Sequence, residues 1–144
     1  MCIRDRRISD FGGLKKSMPI YAGIFLFTSF ASIGLPGLNG FVGEFMILMG
    51  SFPTFNVLSS IAAFGVVLAA IYMLWAYQRM FNGELTHEDN KNVLDLNSKE
   101  IVSVAPLLIL MLFIGLYPSF IESYVVQDVS VIYESINNTL GLSK

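Results

Sequence analysis

Glu44 is the one charged side chain between Lys16 and Arg79. It stands in the apolar, glycine-rich run Ile33-Gly34-Leu35-Pro36-Gly37-Leu38-Asn39-Gly40-Phe41-Val42-Gly43-Glu44-Phe45. A carboxylate near the middle of a bilayer costs about 3 kcal/mol even on lenient insertion scales, so it persists mainly where something uses it. The use open to a lone carboxyl group is to take up and release a proton or a cation. The bland alternative is an interfacial glutamate that caps a helix near the membrane surface. The position of Glu44, just past a predicted helix start and deep within an uncharged stretch, favours the proton-exchanging role.

Other residues could extend a polar path towards Glu44. Thr28, Ser29 and Ser32 fall at helical spacing upstream of it. Hydroxyls in helices more often bond the carbonyl one turn back, so that plain reading stands beside the functional one. Asn39 could brace an irregular segment or donate towards Glu44, and ordinary turn chemistry accounts for it equally well. Gly34, Pro36, Gly37, Gly40 and Gly43 cluster at the centre of the stretch. Proline removes a backbone donor and glycine permits the conformations that a helix break requires. The alternative is a small-residue face of Gly37, Gly40 and Gly43 for close helix packing, and the two readings are compatible.

Few other groups offer chemistry. Cys2 is the sole cysteine and His87 the sole histidine. An internal disulfide is excluded, and no metal site is expected, because such a site would draw its other ligands from carboxylates alone. His87 beside Glu88 and Asp89 forms a polar cluster that reads as solvated loop. No phosphate-binding glycine loop, metal-ligand spacing or nucleophile motif is present. The basic residues are too few and scattered for nucleic-acid binding.

Positioning Glu44 falls to helices. Of 144 residues, 54% are hydrophobic, and the formal charge is −2. The distribution matters more than the total, because three stretches, 17–50, 57–78 and 101–121, are almost uncharged. Each reaches the roughly 20 residues that a spanning helix needs. The first run is too long for an h-region and lacks a clear cleavage site, which argues against a signal peptide. The expected architecture is therefore an all-α integral membrane protein with three transmembrane crossings. A continuous helix over 18–50 would extend roughly 50 Å, against a hydrocarbon core of about 30 Å. The first crossing is accordingly predicted as a discontinuous helix, with half-helices at 19–33 and 41–50 and a loop at 34–40. That loop would leave the carbonyls of Leu35, Gly37 and Asn39 without helical partners, which is tolerated only inside protein or beside water.

The predicted organisation is an N-terminal segment (1–17), a broken transmembrane helix (18–50), a second transmembrane helix (57–81), a polar loop (82–99), a third transmembrane helix (100–121) and a tail (122–144). The tail reads as a short amphipathic helix or a frayed end. Trp75 and Tyr77 suit the aromatic belt of a bilayer, and Arg79 can snorkel to the headgroups. Basic residues alternate along the segments: five before the first span, none in the 51–56 turn, three over 79–99 and one in the tail. The positive-inside rule then places the N-terminus and the 82–99 loop in the cytoplasm and the C-terminus outside.

The run Leu35-Pro36-Gly37-Leu38-Asn39-Gly40-Phe41-Val42-Gly43-Glu44-Phe45-Met46-Ile47-Leu48 resembles the most recognisable segment of subunit M of bacterial proton-pumping NADH:quinone oxidoreductase. This is an antiporter-like subunit family. The upstream Gly12-Gly13-Leu14 and the later Gly115-Leu116-Tyr117-Pro118 extend the resemblance over about 12–124. The resemblance implies the C-terminal part of a fourteen-helix antiporter-like fold, in which the first helix here matches the family's discontinuous one. Glu44 falls on the acid that subunit M carries, where sibling subunits and related cation/proton antiporter subunits usually carry lysine. Glu44 would then be the terminal proton-exchanging group, releasing towards the periplasm of a bacterial inner membrane. The family's other central residues, on earlier helices, have no counterpart here. The opening Met1-Cys2-Ile3-Arg4-Asp5-Arg6 does not resemble the family, and residues 1–6 read as non-native.

By this resemblance the chain contributes to NADH dehydrogenase and proton transport as a subunit and holds no redox site. NADH, FMN, iron–sulfur clusters and quinone would belong to other subunits. Its expected partners are membrane lipid, neighbouring antiporter-like subunits and the earlier helices of its own subunit, with no nucleic acid. Two alternatives differ in class: a subunit of a multisubunit cation/proton antiporter or membrane-bound hydrogenase, and a membrane anchor with no transport role.

Overall fold

The computed structural model describes Ile8 and residues 11–85, 90–91 and 93–140, leaving aside the side chains of 137, 139 and 140. The expectations for Cys2 and for His87 with Glu88 and Asp89 lie outside the described residues. The described chain is helical: a short 3-10 turn at Leu14–Lys16, then α1 (Pro19–Ile33), α2 (Asn39–Ser51), α3 (Asn56–Phe81), α4 (Ser98–Leu116) and α5 (Ser119–Leu140). Among the described residues, α3 and α4 are long and apolar enough to cross a membrane. Few of their residues are buried, and in α3 those are Ser59, Tyr77 and Phe81, near its two ends.

Helices α1 and α2 are each too short to cross alone, at about 22 and 20 Å against a hydrocarbon core of about 30 Å. They follow one another along α3. At one end Tyr21 and Phe25 pack on Phe81 with ring centroids 5.9 and 5.1 Å apart. At the other, Ser59 Oγ donates to Ser51 Oγ at 2.8 Å. Ser59 and Phe81 are roughly 33 Å apart along α3, a distance that α1 alone does not cover.

The aromatic cluster forms the small buried core, in which Leu14, Ala22, Tyr77 and Phe81 are buried and Phe25 packs against them. Tyr77 is buried and stacks on Phe81 at 4.9 Å. Trp75 remains exposed, and the Arg79 guanidinium lies over its ring at 4.3 Å.

The start of α1 is held from a distance. Pro19 occupies its first turn, and the Met18 side chain makes no capping bond. Instead the Asp95 carboxylate accepts the backbone amides of Ile20 at 2.8 Å and Tyr21 at 3.1 Å. The Ser17 hydroxyl donates to the Asn90 carbonyl at 2.8 Å, so Asn90 and Asp95 both lie against this end of α1. Partial burial pulls the Asp95 carboxyl upward, but the amides of Ile20, Leu96 and Tyr21 outweigh it and hold the pKa below its ordinary value. Helix α4 has its own cap, a box in which the Asn97 side chain accepts from the Glu100 backbone amide and the Glu100 carboxylate accepts from Asn97 N at 2.8 Å.

The C-terminal part differs from expectation. Pro118 interrupts the predicted 100–121 helix, and α4 ends at Leu116. A proline removes a bond from the ladder, a loss that α4 tolerates at Pro106, and it begins a new helix readily, as Pro118 does just ahead of α5. The tail is then the 22-residue helix α5, not a short or frayed one.

Candidate functional site at the junction of α1 and α2

The junction is built by two glycines. Gly34 ends α1 in the left-handed conformation, with φ 78, and its amide points back to Ala31 and Phe30. A left-handed terminal residue is the usual way to satisfy the last carbonyls of a helix, and glycine adopts it without steric cost. The chain then turns through Pro36 and Gly37, closed by a Leu38 N to Leu35 O bond of 3.1 Å. Helix α2 begins at Asn39, so Asn39 and Gly40 are helical instead of lying in the predicted loop. The Leu35 carbonyl is thus bonded, and the Asn39 carbonyl belongs to a helix.

Gly40 is where α2 touches α1. A Cβ there would overlap the Ala31 carbonyl oxygen, so only glycine permits the approach. One turn later on the same face stands Glu44, and its carboxylate reaches back against Gly34. The geometry places a half-buried acid on the second turn of α2, facing the end of α1. A methyl group added at Gly37 or Gly43 would meet no atom within 4 Å, so within this chain the three glycines do not form one packed face.

The expected polar path divides. Thr28 donates to the carbonyls of Ile24 (3.1 Å) and Phe25 (2.9 Å), and the buried Ser29 donates to Phe25 O at 2.7 Å. These hydroxyls serve their own helix. Ser32 is exposed. Asn39 shows more: its Oδ1 is buried with no hydrogen-bond partner among the described residues. It borders a cavity of about 300 Å³ lined also by Val42, Met46, Ile114, Ile121 and Glu122.

Sequence reasoning assigns no role to Gly115, although it stands in a recognisable run. A Cβ on Gly115 would overlap the Gly37 carbonyl and come within 2.5 Å of the Leu38 carbonyl carbon. Helix α4 therefore approaches the junction backbone to backbone. A glycine between large apolar residues hints at close packing, but it does not name the surface being approached.

The family described as NADH:quinone oxidoreductase/Mrp antiporter, TM, matches residues 2–69, a stretch that takes in most of the opening that reads as non-native. The subunit M of NADH-quinone oxidoreductase from Rhodobacter capsulatus is 40% identical over 94% of this chain and 27% of its own length. That of Mycobacterium tuberculosis is 42% identical over 78% of the chain and 20% of its own length, and that of Rickettsia bellii is 37% identical over 96% and 26%. The chain spans about a quarter of the length of these curated relatives, and over that span it is similar to subunit M of NADH-quinone oxidoreductase.

Proposed function

We propose that this chain is the C-terminal part of a proton-translocating membrane subunit of NADH:quinone oxidoreductase, and that Glu44 exchanges the proton. The observation that carries the reading is the Glu44 carboxylate set against Gly34, where one helix ends and the next begins. In this reading α1 and α2 are two halves of one broken crossing. Their lengths and their succession along α3 support it. A break at that depth needs protein or water around it, and the orphaned Asn39 Oδ1 is an acceptor that a water or a protonated acid would serve.

The chain itself holds no redox cofactor in this reading. NADH oxidation and quinone reduction take place on other subunits, and this one moves protons by coupling along a buried polar axis. Its partners are lipid, the adjoining antiporter-like subunits and the earlier helices of the subunit, within the cell membrane of a bacterium. The N-terminus faces the cytoplasm and the C-terminus the periplasm. A second reading, a cation/proton antiporter subunit, is favoured by the family description that embraces both groups. The acid at position 44 weighs against it, since those relatives usually carry lysine there.

The test is Glu44→Gln in the full-length subunit within an assembled complex, with proton uptake followed alongside NADH oxidation. The expected result is fewer protons moved per electron. An assembled variant that pumps as the wild type does would refute the role of Glu44. Sodium-dependent transport without NADH oxidation would move the assignment to the antiporter class.

A further inference from the structure

The chain around α4 meets the α1–α2 pair at two places, just before its first turn and at its last. Ahead of its first turn, the two oxygens of Asp95 hold the Ile20 and Tyr21 amides, the side-chain cap that α1 otherwise lacks. At its last turn, Gly115 lies against the Gly37 and Leu38 backbone. Between these points α4 runs for about 28 Å and stays helical through Pro106, which removes one bond from its ladder. The junction it touches is softer, since beyond the bonds of Gly34 and Leu35 to the end of α1 it is closed only by the turn bond from Leu38 N to Leu35 O. The position of a soft segment is set by what lies against it.

We propose that α4 is a strut that fixes the start of α1 relative to the junction, with Asp95 and Gly115 as positioning residues for Glu44. The proposal rests on the reading of Glu44 as the proton-exchanging group. Proton transfer needs partners within about 2.6–3.2 Å, and a displacement of 1 Å can slow a positioned reaction by about a hundredfold. A shift of the junction against α4 therefore acts on the chemistry without touching the carboxylate.

The experiment uses the full-length subunit in the assembled complex and reads two quantities. One is the number of protons moved per electron at matched complex content. The other is amide hydrogen exchange, followed by mass spectrometry, over residues 19–23 and 34–40. Asp95→Ala is expected to speed exchange about fivefold in both segments, as loss of a cap allows. It is also expected to lower the proton ratio, with Asp95→Glu restoring both. Gly115→Ala is expected to speed exchange at 34–40 alone and to lower the ratio. Should Gly115→Ala fail to assemble, Asp95→Asn, which keeps one acceptor oxygen, carries the test with a partial effect.

Faster exchange confined to 19–23, with the ratio unchanged, would make Asp95 a local cap and overturn the strut. Glu44→Gln measured in parallel separates the two ideas. If it leaves the ratio intact, the Glu44 reading fails, and with it the positioning role. If it lowers the ratio while the Asp95 and Gly115 variants do not, the strut alone fails.

Discussion

Gly40 and Gly43 lie on the same helix, three residues apart, and the same substitution is expected to act on them with opposite sign. Both have ordinary helical backbone, so alanine at either gains about 0.5–1 kcal/mol from helix propensity. At Gly43 a new methyl meets nothing within 4 Å, and the gain stands. At Gly40 the methyl meets the Ala31 carbonyl, a backbone atom that no side-chain rotation can move aside. Overpacking of this kind costs about 1–3 kcal/mol, because α2 must shift away from α1. The net effect is a loss of up to about 2.5 kcal/mol for Gly40→Ala against a gain of about 0.5–1 kcal/mol for Gly43→Ala. The assay is unfolding of the 144-residue chain in mixed micelles by added SDS. It is followed by far-ultraviolet circular dichroism and by the fluorescence of Trp75, the single tryptophan. A Gly40→Ala variant stabilised as Gly43→Ala is would refute the contact between α1 and α2 from which Glu44 is aimed. The same pair in the assembled complex carries further information. A stabilising Gly43→Ala that turns destabilising there would place a partner helix on that face.

Gly34→Ala is expected to destabilise the chain by about 1–2 kcal/mol in the same assay, since an L residue in the left-handed region pays that much and glycine does not. The new methyl also displaces the Glu44 carboxylate, so proton transfer in the full subunit is expected to fall as well. Asp95 predicts a pH dependence. Its folded pKa lies below the ordinary 3.8, so its stabilising contribution is complete above that value and is lost as the pH falls through the folded pKa. Denaturation of wild type and Asp95→Asn across pH 2–7 is expected to show a stability difference that is constant near neutrality and vanishes at the acid end.

Much of the helix pattern is legible in the sequence. The half-helix expected at 19–33 is α1, because Pro19 suits a first helical turn and Gly34 suits a left-handed end. The second long helix, expected at 57–81, matches α3 to within one residue, since its uncharged run is continuous and closes on Arg79. Boundaries fail where two signals compete. At 39–40 the density of glycine argues for loop, yet Gly40 is helical because packing on Ala31 rewards it. At 117–118 the apolar run argues for one helix, and the proline divides it.

The site divides in the same way. A lone carboxylate in an uncharged stretch is visible to anyone who reads the residues in order, because its cost in an apolar setting is a property of the residue type. Composition and spacing alone thus single out Glu44, the glycines beside it and the need for helices around them. Spacing does not say which hydroxyls serve the site, and the structure shows Thr28 and Ser29 bonded to their own helix. Nor does it show that Asp95 caps a helix 74 residues away, or that Gly115 closes on Gly37. Caps within one helix follow from local sequence, as in Asn97 and Glu100. Contacts between distant segments depend on how rigid helices come together, and only the tertiary structure decides which backbone groups then lie within reach of one another.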